Sequence, residues 1–233
     1  FEAAGVLVSV SAPETVDICA DKALTNSWLT RHGFPTVRQS TPAEVLANPA
    51  AWPFPLLVKP RRGSASIGVR TVESPAALAL LAEAQSELVV EEIAPGQEHT
   101  INVFVDRQGR CRCAVPHRRL EVRAGEVSKG LTVKHRGMME LARQIAEKLP
   151  GAFGALNIQC FLGPDGAIRV IELNARFGGG YPLAHQAGAH FTRWLIEETL
   201  GLPLTADFDA WQDDLAMLRF DDAVFVPGSR IRE

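Results

Sequence analysis

The stretch NIQCFLGPDGAIRVIELNARFGGG, Asn157 to Gly180, holds two apolar runs separated by a turn signal. Ala155 to Leu162 and Ile168 to Leu173 read as strands, and Pro164-Asp165-Gly166 reads as the tight connection between them. Strands joined so closely pair antiparallel. Residues two apart on a strand point the same way. Glu172, Asn174 and Arg176 therefore converge on one face at the strand end, over an apolar base of Val170, Ile171 and Leu173. Gln159 lies on the partner strand. Carboxylate and amide oxygens are hard donors that suit Mg²⁺, and a guanidinium grips phosphoryl or carboxylate groups with two parallel bonds. A solvated strand edge would look the same in isolation. The run Gly178-Gly179-Gly180 adds that backbone comes close to something there.

Outward from this stretch the pattern stays mixed. Asp21 to His32 reads as a helix, capped by Asp21, with Leu24 and Trp28 on one face and Gly33 closing its end. Thr41-Pro42-Ala43-Glu44 is a capping box that opens a second helix. Leu56-Leu57-Val58 reads as a buried strand, Val69 to Val72 as an extended stretch, and Ser74-Pro75 as the start of a helix through Ala84. Leu88 to Ile93 is a strand ending at the Pro95-Gly96 turn, and Ile101 to Val105 and Cys111 to Val115 form a hairpin across Arg107 to Gly109. Gly125 to Gly130 reads as a loop. Met138 to Leu149 is an amphipathic helix with Leu141, Ile145 and Leu149 on one face. One helix is expected from Leu183 to Leu200, carrying His185 and His190 as packing or solvated residues, and a final strand region from Leu218 to Val226. Several hairpins mean antiparallel pairing, so the fold class is α+β.

Three further segments carry chemistry. Lys59 ends a strand, and Gly63-Ser64-Ala65-Ser66-Ile67-Gly68 follows it. A fixed ammonium and small residues that let amides approach suit a phosphate. Gly63 and Gly68 have the spacing of a Walker A loop, but Val69-Arg70 stand where that loop needs Lys and Ser or Thr. Glu91-Glu92-Ile93, with Glu98 beyond the turn, offers backbone groups to a purine edge and a carboxylate to ribose hydroxyls. Lys22, at a helix start, would be a second cation near a phosphate. A surface turn, an acidic turn and an exposed helix start describe the same three segments when each is taken alone.

The bulk composition narrows the partners. The chain has 233 residues, 46% hydrophobic and 22% charged, as in an ordinary soluble domain. Its formal net charge of −3 gives no electrostatic case for nucleic acid. No apolar run approaches the roughly 20 residues of a membrane helix, and no signal peptide is visible, so no membrane partner is expected. The four cysteines lack the CxxC spacing of zinc or redox sites, which reads as a reduced, cytoplasmic protein. Phe1 and the apolar stretch after it look like the middle of a longer fold.

Taken together, the segments DKALTNSWLTRHGFPTV from Asp21, LLVKPRRGSASIGVRTV from Leu56, VVEEIAPGQEHTINVFVD from Val89 and NIQCFLGPDGAIRVIELNARFGGGYPLA from Asn157 resemble the ATP-grasp superfamily. They are most similar to its carbamoyl-phosphate-synthase-like branch. The resemblance covers Asp21 to Ala187 and rests on the order and spacing of four segments. It implies two α+β lobes with mainly antiparallel sheets enclosing ATP. Residues 1–20 would be the tail of a missing Rossmann-like domain, 21–93 the small lobe that serves as lid, and 94–233 the large lobe with the metal site.

The resemblance also implies roles. Lys22 and Lys59 hold the phosphates. Gly63, Ser64, Ser66 and Gly68 belong to the mobile loop above them. Glu91, Glu92 and Ile93 read adenine, and Glu98 holds the ribose. Gln159, Glu172 and Asn174 bind Mg²⁺, with Mn²⁺ as an alternative. Arg176 steadies the transferred phosphoryl, with Lys59 as its catalytic companion. The implied reaction activates a carboxylate with ATP as an acyl phosphate, which an amine or thiol then attacks. A kinase-like phosphotransferase and a non-catalytic nucleotide-binding module are the alternatives, and a homodimer is the assembly the resemblance leaves open. The chain departs from the family in a glycine-poor loop and in Ala175 where many members have proline. Gly125 to Thr132, with Ser128 and Lys129, is expected to face the substrate, with His117, Arg118 and Arg119 in the same cleft.

Overall fold

The computed structural model describes residues 1–6, 8–63, 66–227 and 230, which leaves the expected loop residue Ser64 outside the described residues. Among these, two antiparallel sheets carry the chain, so the α+β expectation holds. The smaller has the order β1-β4-β2-β3, from Gln39–Ser40 (β1), Leu56–Pro60 (β2), Arg70–Val72 (β3) and Leu88–Glu92 (β4). The larger has the order β10-β7-β6-β5-β8-β9. Its strands are Gln97–Val105 (β5), Cys111–Arg123 (β6), Glu126–Thr132 (β7), Gly154–Leu162 (β8), Ile168–Asn174 (β9) and Ala216–Leu218 (β10). The helices are Pro13–Ala20 (α1), Lys22–Arg31 (α2), Pro42–Ala47 (α3), Pro75–Ala84 (α4), Arg136–Lys148 (α5), Tyr181–Gln186 (α6) and Phe191–Thr199 (α7).

Each sheet has its own core. Val45 and Leu78 from α3 and α4 meet Leu56, Val58, Val72 and Val90 under the smaller sheet. The α3 capping box forms as its sequence dictates, with Thr41 and Glu44 satisfying each other's backbone amides. The larger core gathers Ile101, Val103 and Val115 from the strands and Met138, Met139, Ala142, Ile145 and Ala146 from α5. That spacing is one face of a helix, and each large side chain it removes from water contributes about 1.5–3 kcal/mol. Trp28 and Leu29 of α2 also join the larger core, which ties this helix to the bigger sheet. Leu24 does not follow Trp28 inward and is exposed.

Four expectations are corrected. Gly125 to Gly130 is not a loop: Ala124 and Gly125, at φ +47° and +78°, make a two-residue hairpin turn, and β7 runs on from Glu126. The helix expected over 183–200 is two helices, because Gly188 takes φ +109° and turns the chain between them. His185 therefore sits on α6 and His190 at the start of α7, their ring centroids 4.8 Å apart. The last strand is Ala216–Leu218, with no strand from 219 to 226.

No helix among the described residues is long and apolar enough to cross a membrane.

Candidate active site

A cleft of about 260 Å³ separates the smaller sheet and its β2–β3 loop from the face of the larger one. Of the residues singled out in the sequence, Lys22, Lys59, Gly63, Ser66, Glu98, Gln159, Glu172 and Arg176 line it together. Asn174 lies beside it, donating from Nδ2 to Glu172 Oε1 at 2.9 Å.

The strand register builds the floor. His117, Thr100, Gln159 and Glu172 stand opposite one another across β6, β5, β8 and β9, and Asn102, Asn157 and Asn174 form the next row. Strict alternation would place Val170 beside Glu172 and Asn174. A β-bulge at Ile171 shifts the register instead, so Val170 and Leu173 enter the core while Ile171 and Glu172 face the cleft. The asparagine row supports the strand end: Asn174 Nδ2 also donates to Asn157 Oδ1 at 3.2 Å, and Asn157 Nδ2 donates to the Arg176 carbonyl at 3.2 Å.

The donor set fits magnesium. Among the described residues, Asn174 spends its amide protons on neighbours and its Oδ1 accepts no hydrogen bond, nor does the Gln159 side chain. Two amide oxygens and one carboxylate suit a cation that takes one or two carboxylates and completes its shell with water and phosphate oxygens.

The roof supplies cations. Asp21 caps α2 by accepting from Ala23 and Leu24, and Arg61 Nε donates to both its oxygens at 2.8 Å. Burial alone would raise the Asp21 carboxyl, but the Arg61 bonds and the backbone amides hold it below the ordinary value. Lys22, fixed by that cap, donates to the Gly63 carbonyl at 2.8 Å. Burial pushes its ammonium below the ordinary value, the Glu172 carboxylate pulls it back, and the Lys59 ammonium pushes it further down. Lys22 thus senses both the neighbouring lysine and the Glu172 carboxylate across the cleft. Lys59 is buried and paired with Glu91 at 2.8 Å.

Several residues fall elsewhere. Glu91 does not line the cleft: its carboxylate holds Lys59 and accepts from Gln39 Nε2 at 2.7 Å. Glu92 and Arg38 bond each other, amide to carbonyl and carboxylate to amide. Ile93 is exposed beyond the strand. Gly68 packs on Pro60 behind the loop. Ser128 and Lys129 do not face the cleft, because Glu121 accepts from both, at 2.9 and 2.6 Å. Arg119 does line it, pairing with Glu98 at 3.2 Å, and burial raises the Glu98 carboxyl.

Thr100, Asn157, Phe161, Glu126 and Ile171 also line the cleft; Ile171 was read only as part of the apolar base, and Glu126 only as part of the 125–132 segment expected to face the substrate. The first three lie two residues from Glu98 or Gln159 on the same strands, so period-two spacing alone points to them. The thiol of Cys19, beside the strand end, is pushed up to about 12 by burial and stays protonated.

The triglycine run roofs the far end of the floor. A β-carbon on Gly180 would stand 2.5 Å from His117 Nε2, and one on Gly179 would overlap the Glu126 carboxylate. His117 is fully buried and cannot withdraw. Gly180→Ala is expected to cost about 1–3 kcal/mol as overpacking, read as a lower thermal midpoint.

His117 also makes stability depend on pH. Asn102 Nδ2 donates to its Nδ1 at 3.2 Å, and burial lowers its titration from 6.5 to about 3. The unfolded chain takes up this proton near pH 6.5 and the folded chain only near 3, so stability is lost as pH falls through that window. The loss from this group is expected to reach about 2 kcal/mol at pH 5, and His117→Gln should flatten that part of a denaturation profile.

Comparison with known proteins places the chain. A family model described as "ATP-grasp in the biosynthetic pathway with Ter operon" matches residues 84–223. The chain belongs to this ATP-grasp family. A D-alanine--D-alanine ligase from Anaplasma centrale is 37% identical over 93 residues, which cover 37% of this chain and 45% of that one. The ATP-grasp fold recurs in the biotin carboxylase domain of 2-oxoglutarate carboxylase from Hydrogenobacter thermophilus, solved with MgADP and bicarbonate. That comparison has a TM-score of 0.79 at 17% identity, covering 92% of this chain and 52% of that one. An L-amino acid ligase from Bacillus licheniformis gives 0.67 at 20% identity, covering 91% and 55%. The chain spans about half the length of these relatives.

Proposed function

We propose that this chain is the nucleotide-binding and catalytic core of an ATP- and Mg²⁺-dependent ligase that joins a carboxylate to an amine or thiol through an acyl phosphate. The observation that carries this reading is the meeting of Lys22 and Lys59 with Gln159, Glu172 and Arg176 in one cleft. Phosphoryl transfer needs positioned positive charge more than covalent help. Magnesium, when bound by Gln159, Glu172 and Asn174, supplies charge neutralisation between phosphates. The chain's own residues do the rest. Lys22 and Lys59 fix the phosphates from the roof, Arg176 orients the acid or its phosphorylated form, and the 63–68 loop, with Ser64 and Ser66, keeps water out. Glu98 holds ribose at the end where Ile93 and the backbone of Glu91 and Glu92 receive adenine.

The ligase relatives and the bicarbonate-bound MgADP structure support this reading, as does the order of the four segments that resemble the carbamoyl-phosphate-synthase-like branch. Residues 21–93 would act as lid over 94–233. Mn²⁺ can serve in place of Mg²⁺, the setting is cytoplasmic, and small molecules are the partners, with homodimerisation open to a sedimentation measurement.

The test is a screen of amino and keto acids with MgATP, following ADP release and trapping the acyl phosphate with hydroxylamine as a hydroxamate. ADP release that yields hydroxamate supports the ligase. A stable phosphorylated product without hydroxamate indicates a kinase instead, and nucleotide binding without turnover a non-catalytic module.

A further inference from the structure

Most charges around the cleft have a charged partner, but among the described residues Arg176 meets no carboxylate and one carboxylate meets no cation. Lys59 is neutralised by Glu91, and Arg119 by Glu98. Lys22 lies in the field of Glu172 and bonds the Gly63 carbonyl, while Arg176 donates to the Phe177 carbonyl at 3.0 Å. One lining carboxylate is left over. Among the described residues, the Glu126 side chain makes no ion pair and no hydrogen bond, yet it borders the cleft.

The hairpin backbone sets its place at the cleft rim, where the side chain is exposed. Glu126 is the first residue of β7, directly after the Ala124-Gly125 turn, so the β6–β7 hairpin tip carries it over the floor. There it rests on Gly179, where any side chain would displace it. The lid residues Gly63, Ser66 and Ile67 belong to the smaller sheet's side of the cleft. Glu126 and Gly178–Gly180 belong to the larger sheet's side, next to Arg176. An acyl phosphate held by Arg176 and the metal set would thus have a carboxylate on the flank away from the lysines.

We infer that Glu126 is the recognition group for the attacking substrate, and that this substrate arrives as a positively charged ammonium. A thiol brings no charge for Glu126 to hold, so this narrows the acceptor to an amine. The carboxylate pairs with the ammonium and takes its proton, freeing the nitrogen lone pair. The C–N bond then forms as the acyl C–O bond breaks, and phosphate leaves with the electron pair. The second proton lost from nitrogen goes to the departing phosphate or to water. The role deepens the ligase reading and depends on it.

The test uses the full-length protein, MgATP, and the acid that supports ADP release. Ethylamine and glycinamide serve as amine probes and mercaptoethanol as the thiol probe. Glu126→Gln is expected to raise the KM for both amines about 10- to 100-fold, the loss of one charged hydrogen bond, with acceptor-free hydroxamate formation unchanged. Gly179→Ala should do the same, because its methyl group pushes the carboxylate aside while a flexible side chain absorbs the clash. Any turnover with mercaptoethanol should be insensitive to both changes. Equal amine KM values in the wild type and both variants overturn the inference while leaving the ligase standing. So does a matching loss of hydroxamate formation, which would place Glu126 on the metal or the nucleotide. If no acid supports ADP release at all, the ligase reading fails and this role fails with it.

Discussion

Glu172→Gln is expected to remove turnover and leave the fold intact. The carboxylate is the only anion in the Gln159, Glu172 and Asn174 set, so its loss turns the proposed metal site from singly charged to neutral. Magnesium gives up water reluctantly and needs at least one carboxylate to compete with its hydration shell. Losing several kcal/mol of charge stabilisation in the transition state corresponds to about 10³-fold or more in kcat. The structural cost is small. Among the described residues this side chain accepts one hydrogen bond, from Asn174 Nδ2, which the glutamine carbonyl can accept as well. Glu172 is half-buried on a strand whose core contacts come from Val170 and Leu173, which the change leaves alone. Circular dichroism and the thermal midpoint should match the wild type while ADP release disappears. Full activity in this variant would remove the metal assignment.

What could be read from sequence was whatever repeats at short range. The β8–β9 hairpin, the α3 capping box and the Asp21 cap were legible because each is decided by residues within a few positions of one another. Two residues facing the cleft were legible from local position: Gln159 on the partner strand of the β8–β9 hairpin, and Glu98 just beyond the Pro95-Gly96 turn. What escaped was set by geometry with no local signature. The bulge at Ile171 depends on β8 as much as on β9. The β6–β7 hairpin escaped because Ala124-Gly125 is a weak turn signal, so within the 125–132 segment Ser128 and Lys129 were singled out and Glu126 was not. Ser128 and Lys129 looked available in sequence, and only the folded register brings Glu121 across to occupy both. Glu91 is the reverse case. Its backbone reads as an adenine contact, and the fold gives its carboxylate a role the sequence did not signal, as counter-ion to Lys59.

That pairing gives the largest expected effect on stability. Both side chains are nearly closed to solvent, at 5% and 2% exposure, and Gln39 Nε2 donates a further bond to Glu91 at 2.7 Å. A buried pair need not stabilise the fold, but breaking one strands the other charge. Lys59→Met keeps most of the stem's volume and leaves Glu91 uncompensated on the face of the smaller sheet opposite its apolar core. The expected cost is about 3–5 kcal/mol, which in a chain of this size lowers the thermal midpoint by on the order of 10 °C. The double variant Lys59→Met with Glu91→Leu removes both charges and should recover most of that loss. If Lys59 also holds a phosphate, nucleotide affinity will stay low in the double variant even though stability returns. Calorimetric melting and MgATP titration of the two proteins separate the roles. Recovery of both quantities together would mean that Lys59 matters only as a partner for Glu91, and that Lys22 carries the phosphate alone.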